Sequence, residues 1–214
     1  MITSPQPGQG ARGTLLVEGL TDAALAQHLN VVLRDAQGTV IGTARPTTQA
    51  SAPADQRSAF SAEIAVPADV PRQTGRVQVY AVSPGNNGVT HLASVEVELN
   101  GDAQATAVRI DPLTPEAIAV IFPSPNAQVT GVVKVAAATA LGPKIVIEVL
   151  DANNQTVGRV EQTIDLATGS PAQVMAEVPI KVSAAGPGRV LVYAVNARDG
   201  ATEHLSSVEV NLVP

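Results

Sequence analysis

The octapeptide GRVQVYAV at residues 75–82 returns almost unchanged as GRVLVYAV at residues 188–195. A second pair, HLASVEVEL at residues 91–99 and HLSSVEVNL at residues 204–212, is separated by the same 113 positions. Two long matches at one spacing indicate that the chain is an internal duplication. Within each peptide apolar residues alternate with other residues, as in a β-strand with one buried face.

The duplication continues toward the start of the chain with weaker similarity. LRDAQG at residues 33–38 matches VLDANN at residues 149–154, and Ser4-Pro5 matches Ser124-Pro125. The spacing grows from 113 through 116 to 120 positions, which predicts a second copy seven residues shorter than the first. Two copies in 214 residues give units of about 100 residues, a usual size for a β-sandwich domain.

The repeat also sets the predicted domain boundaries. Residues 1–100 form the first unit, residues 101–116 a linker and residues 117–214 the second unit. The linker prediction depends on Pro112 and Pro115, because proline restricts its own backbone and that of the residue before it.

Period-two alternation of apolar residues recurs along both units and predicts strands throughout. In the first unit Leu29, Val31 and Leu33 share one face, and residues 60–66 form a second inward row. Glycine and asparagine cluster between such runs, as at residues 85–88, where turns need positive φ. We therefore predict an all-β fold of two tandem β-sandwiches with about seven strands each.

The composition excludes several classes of function. The chain has no cysteine, which rules out disulfides, thiol nucleophiles and cysteine-ligated metals. Its net charge of −6, without basic runs, argues against nucleic acids and anionic membranes as partners. Aromatic residues make up 2%, which removes the stacking surfaces that single-stranded nucleic acids and most glycans need. No apolar run reaches the ~18 residues of a membrane-spanning helix.

Catalytic and metal-binding patterns are missing from the sequence. The three histidines, His28, His91 and His204, show no His-x-His spacing, and further ligands would have to come from other strands. The sequence contains no Gly-x-Ser-x-Gly nucleophile elbow and no Asp-x-Asp-x-Asp-Gly calcium loop. We therefore predict no catalytic residues, no metal site and no cofactor, and we expect that the chain is not an enzyme.

The order of short motifs in the first unit points to a known family. Ser4-Pro5 precedes a glycine-rich turn, residues 35–42 read DAQGTVIG, and a phenylalanine-containing strand at residues 59–62 leads to GRVQVY. With the closing VEVEL at residues 95–99, this order resembles the Gmad2 family, an immunoglobulin-like domain first described in bacterial spore germination proteins. The resemblance covers both units. It implies immunoglobulin-like sandwiches and a non-catalytic, envelope-associated module attached to other domains.

The sequence departs from that family at one point and shares features with another. The aromatic–glutamate pair typical after the second Gmad2 strand is replaced by ALA at residues 24–26 and ALG at residues 140–142, which bears on the choice of partner. VYAVN at residues 192–196, followed by Asp199-Gly200, resembles a fibronectin type III domain, although the hallmark tryptophan is absent. Both resemblances imply the same architecture.

The two tyrosines identify the candidate interface. Tyr80 and Val82 in the first unit, and Leu191, Tyr193 and Val195 in the second, are predicted on outward strand faces. They either pack across neighbouring strands or form a contact patch, since tyrosine is enriched at protein interfaces.

The predicted function is that of a structural and interaction module. We expect a spacer and protein-docking surface in a bacterial cell-envelope or secreted protein, with a signal peptide or anchor outside this sequence. The expected partner is an envelope protein or a second copy of the chain, and self-assembly stays open. A small-ligand or glycan-binding module is the alternative. We predict no nucleic-acid partner and no membrane insertion.

Overall fold

A computed structural model describes residues 1–49, 57–101, 117–165 and 172–214. In this part of the chain the backbone is mostly β-strand, divided into two compact units between Pro115 and Glu116. The predicted all-β, immunoglobulin-like fold is confirmed. The predicted linker, residues 101–116, lies outside the described residues except for Gly101.

The described residues of the first unit form nine strand segments: β1 (Ile2–Ser4), β2 (Gln9–Ala11), β3 (Thr14–Thr21), β4 (Leu29–Arg34), β5 (Val40–Ala44), β6 (Thr47–Thr48), β7 (Ser58–Ala65), β8 (Gln73–Val82) and β9 (Val89–Leu99). The smaller sheet has the antiparallel order β1–β3–β7–β6. The larger sheet has the antiparallel order β5–β4–β8–β9, and a 3-10 turn precedes β4.

The described residues of the second unit form eight strand segments: β10 (Ile118–Phe122), β11 (Ala127–Val129), β12 (Val132–Thr139), β13 (Lys144–Leu150), β14 (Thr156–Thr163), β15 (Ala172–Pro179), β16 (Gly186–Val195) and β17 (Thr202–Leu212). The smaller sheet has the order β10–β12–β15. The larger sheet has the order β14–β13–β16–β17, so it repeats the layout of the larger sheet in the first unit, whereas the described smaller sheet has no counterpart of β6.

The opening strand of each unit is split between the two sheets. β1 pairs with β3, and β2 then crosses to pair in parallel with β9. β10 and β11 do the same with β12 and β17. Gly8 and Gly13 adopt positive φ on either side of β2, and Asn126 and Gly131 do so around β11. The split is one reason why the described segments outnumber the seven strands predicted for each unit.

The strand registers correct the start of the predicted repeat alignment. Gln9 and Ala127 lie opposite equivalent valines of β9 and β17, so these two residues correspond at a spacing of 118 positions. Ser4 therefore corresponds to Phe122, and the predicted match of Ser4 with Ser124 is wrong by two residues. A shared Ser-Pro dipeptide carries less information than a strand register, and it misplaced the alignment.

A separate core of aliphatic side chains fills each sandwich, as the alternation predicted. The faces carrying Leu33 in β4 and Ile147 in β13 are fully buried between the sheets. Phe60 adds an aromatic ring to the first core. Burial of these side chains supplies most of the free energy that offsets the conformational entropy lost on folding.

One pair of buried residues differs in kind between the two cores. In the first unit Gly19 of β3 lies opposite Phe60 of β7, and a Cβ atom on Gly19 would fall 2.4 Å from the ring Cζ of Phe60. At the equivalent place in the second unit Ala137 of β12 lies opposite Val174 of β15. The two pairs fill a similar volume in different ways. The first unit combines a residue without a side chain and a phenylalanine ring, and the second unit combines two small aliphatic side chains.

The glycine that opens the repeated octapeptide has the same role in both units. A Cβ atom on Gly75 would lie 2.7 Å from the Arg34 carbonyl oxygen, and one on Gly188 would lie 2.8 Å from that of Leu150. Each would also lie 2.6 Å from the Cγ atom of the leucine that ends the closing strand. This close approach between strands explains why both copies keep glycine here.

Candidate functional site

The predicted interface residues lie on the outer faces of the larger sheets. Tyr80 and Val82 are partly buried on β8 of the first unit. Leu191, Tyr193 and Val195 are partly buried on β16 of the second unit. Each side chain points away from the core of its own unit, as the alternation predicted, and their role as an interface stays a prediction.

Tyr193 is the centre of a hydrogen-bond network within the second unit. Its hydroxyl donates to Glu148 Oε2 at 3.1 Å and accepts a hydrogen bond from the Arg159 guanidinium, while Thr156 Oγ1 donates to Glu148 Oε1. Burial raises the pKa of Tyr193, and the neighbouring Glu148 carboxylate raises it further. The hydrogen bond to Tyr193 in turn raises the pKa of Arg159. These contacts support cross-strand packing as one role of Tyr193.

An ion-pair cluster continues this network across the same face. Glu161 accepts from Lys144 Nζ at 2.6 Å and from Arg159 Nη2 at 2.6 Å. The hydrogen bond from Lys144 lowers the pKa of Glu161, with a further contribution from Arg159. Because these side chains are well exposed, each pair contributes little to stability.

The first unit does not repeat the network. From the strand registers, Val32 stands where the second unit has Glu148, and Thr43 stands where it has Arg159. Glu148 and Arg159 therefore have no charged counterparts in the first unit, where the polar Asn30 lies directly opposite Tyr80 instead. The side-chain chemistry of this face has diverged while the backbone pairing beneath it has stayed the same.

An apolar row crosses the outer face of the smaller sheet in the second unit. Phe122 of β10, Ala136 of β12 and Met175 of β15 lie side by side in register. Phe122 is 48% exposed and Met175 is 70% exposed, and between them lies a groove of about 400 Å³ over Ala136. Lys134 and Glu177 border this groove as an exposed pair, 4.0 Å apart.

The corresponding row of the first unit is polar. Ser4 of β1 lies opposite Glu18 of β3, which lies opposite Ser61 of β7. The second unit thus exposes two large apolar side chains where the first unit has two half-buried serines. Scattered exposed apolar residues are ordinary, but a contiguous row that only one copy carries calls for an explanation.

The outer edge of the smaller sheet also differs between the units. In the first unit β6 pairs antiparallel with β7, with Thr47 opposite Ser61. In the second unit β14 continues along β13 as far as Thr163, and the described residues place no strand on the outer edge of β15. There the Gln162 side-chain amide donates to the Met175 carbonyl oxygen at 2.8 Å. The described part of this edge is capped by a side chain instead of a strand.

His204 lies in register with Ala194 on the core side of its sheet, near the start of β17. Burial lowers its pKa to about 4. Among the described residues, His, Asp and Glu side chains do not gather in groups of three that could hold a metal ion.

We expect the stability of the protein to depend on His204 below neutral pH. Because burial favours the neutral imidazole, its contribution is complete above pH ~6.5 and is lost as the pH falls toward 4. Between pH 7 and pH 4.5 the wild type should lose roughly 2 kcal/mol more unfolding free energy than His204→Leu in urea titrations. An NMR titration that places the His204 imidazole pKa near 6.5 would contradict this expectation.

Comparison with known families adds one finding to this geometry. Residues 1–87 match the model of Gmad2, described as the immunoglobulin-like domain of bacterial spore germination. This match confirms the predicted Gmad2 resemblance for the first unit. No curated protein matches the chain. The match to Gmad2 ends in the turn before β9, and the second unit repeats the same strand order around its own core. The described part of the chain contains no helix of the length and apolarity that a membrane crossing requires.

Sequence reasoning missed the apolar row of the second unit. The signal was present, because Phe122 and Met175 replace serines of the first copy. The alignment that paired Ser4 with Ser124 hid the first of these replacements. With the correct spacing, the row is visible as a local change from polar to apolar between two copies of one domain.

Proposed function

We propose that this chain is a non-catalytic module of a bacterial cell-envelope or secreted protein, and that it acts as a spacer and as a docking surface for a protein partner. The observation that carries the proposal is the contrast between the two copies. Cores and registers are shared, whereas the outer faces differ, and one of them exposes an apolar row. The setting in a bacterial envelope is supported by the Gmad2 match, because that family is described from spore germination.

The polar side chains of the larger sheet support a structural role. Arg189 is almost fully buried and donates to Ser207 Oγ at 3.0 Å and to Glu209 Oε1 at 2.8 Å. Tyr193 and Glu161 are likewise engaged with side chains of their own unit. Side chains held in such hydrogen bonds and ion pairs make the outer surface of the sheet more rigid. A rigid surface suits a spacer that also binds another protein.

The proposal is tested by replacing the chain inside its parent protein. One strain carries the native residues 1–214, and a second carries an unrelated pair of β-sandwiches of equal length. Cross-linking of intact cells followed by mass spectrometry should find a protein joined to the native chain and not to the replacement. A native chain that cross-links to no protein, or a partner that the replacement retains unchanged, would overturn the docking role.

A further inference from the structure

We propose that an extended peptide segment of a partner protein adds as a strand to the outer edge of β15, and that this segment carries a basic residue two positions before a large apolar residue. The inference rests on the proposed docking function and assigns it a place and a ligand chemistry. In this arrangement the apolar side chain becomes the fourth member of the row formed by Phe122, Ala136 and Met175.

The first unit shows that this edge accepts a strand. Thr47 of β6 lies opposite Ser61 of β7, and the backbone N–H of Gln49 donates to the Ala59 carbonyl oxygen at 3.0 Å. The strand registers make Ser61 equivalent to Met175. A partner strand beside β15 would therefore repeat, between two molecules, a pairing that one copy of this domain makes within itself.

The hydrogen-bonding groups of β15 are oriented for such an addition. The Met175 carbonyl oxygen points to the edge, since it accepts from the Gln162 side-chain amide at 2.8 Å. A backbone N–H of the partner would take the place of that amide. The exchange replaces one donor by another, so the carbonyl is satisfied both before and after binding.

Apolar contact would come from the row itself. Side chains directly opposite one another on adjacent strands share a face, so the residue opposite Met175 lies next to its thioether. Met175 is 70% exposed, and the groove over Ala136 gives its unbranched side chain room to move toward Phe122. A methionine with that freedom adapts to a leucine or a phenylalanine.

Charge selects the second residue of the peptide. Glu177 follows Met175 by two positions on the same face of β15, and its only described ion-pair partner, Lys134, is 4.0 Å away and highly exposed. Opposite charges favour each other across neighbouring strands. In an antiparallel partner, the residue opposite Glu177 precedes the residue opposite Met175 by two, which gives the order Lys or Arg, any residue, Leu or Phe.

The test is a titration of the isotope-labelled 214-residue chain with synthetic threonine-rich heptapeptides, followed by NMR. The Lys-x-Leu peptide should shift backbone amides of β15, and Glu-x-Leu and Lys-x-Ser peptides should bind more weakly. Met175→Ser, which copies Ser61, should weaken Lys-x-Leu binding by about tenfold. Glu177→Lys should weaken it by about threefold and shift the preference toward Glu-x-Leu. Val40→Ser, at an exposed apolar residue of the first unit, serves as the matched control and should leave binding unchanged.

Three outcomes would overturn the inference. The first is the absence of peptide-induced shifts on β15, and the second is binding that neither Met175→Ser nor Glu177→Lys changes. The third is a set of β15 shifts that depends on protein concentration without peptide, which would make a second copy of the chain the occupant. If cross-linking in cells still finds a partner on another face, the docking role stands and only its assignment to β15 falls.

Discussion

Replacing Phe60 by Ala is expected to lower the free energy of unfolding of the first unit by about 3–5 kcal/mol. The ring is buried in the first core and lies against Gly19 on the opposite strand, so its removal leaves a cavity that the neighbouring backbone cannot fill. Urea unfolding of the intact chain, followed by NMR signals of β3 and β7, measures the change in that unit.

The second copy of the domain supplies a matched control for this experiment. Gly19→Ala alone should cost about 1–3 kcal/mol, because the new methyl group would meet both the Met1 carbonyl oxygen and the ring of Phe60. The double variant Gly19→Ala with Phe60→Val copies the Ala137–Val174 pair. It should be more stable than the sum of its single variants predicts, by about 0.5–3 kcal/mol. If the two free-energy changes were strictly additive, the side chains at positions 19 and 60 would not compete for the same space.

Replacing Ile147 by Ala should destabilise the second unit by about 2–5 kcal/mol. Ile147 has no exposed surface, and it lies on β13 between the paired strands β14 and β16. The loss combines the transfer of apolar surface to water with the cavity that remains. Urea unfolding followed on signals of β13 and β16 reports the change.

Ile121→Ala removes the same atoms from a side chain that is 62% exposed, and it is the control for Ile147. It should change the free energy of unfolding by no more than about 0.5 kcal/mol. Equal losses for the two isoleucines would show that the core of the second unit is not where the alternation and the structure place it.

The fold could be predicted from the sequence because apolar residues alternate regularly along the strands. Alternation with period two marks which residues of a strand are buried, and the rows around Leu33 and Ile147 lie in the core as expected. Because the chain is a duplication, the same alternating pattern is seen twice. The split of the opening strand was not predicted, since the short segments on either side of a positive-φ residue have too few residues to show a period.

The outer faces could not be predicted to the same extent. The contact of Tyr193 with Glu148 joins residues 45 positions apart, and it exists because of a strand register that no local pattern encodes. The row of Phe122 and Met175 depends likewise on three strands lying in register. The missing strand beside β15 follows from the path that β14 takes after residue 160. Pro46, which has no N–H for the sheet ladder, follows β5, whereas Gln162 stands at the equivalent position and β14 continues along β13. A single proline marks where a strand ends, but it does not show which strand the chain pairs with next.

The parallel pairing at the ends of each unit has a mechanical consequence. When tension pulls the two ends of such a unit apart, parallel terminal strands are displaced lengthwise past each other, and their hydrogen bonds are loaded together instead of one at a time. Gln9–Ala11 beside β9, and Ala127–Val129 beside β17, are arranged in this way. Forced unfolding depends on the rate of strand separation and not on equilibrium stability. These short parallel contacts would therefore set how much pulling force each unit withstands.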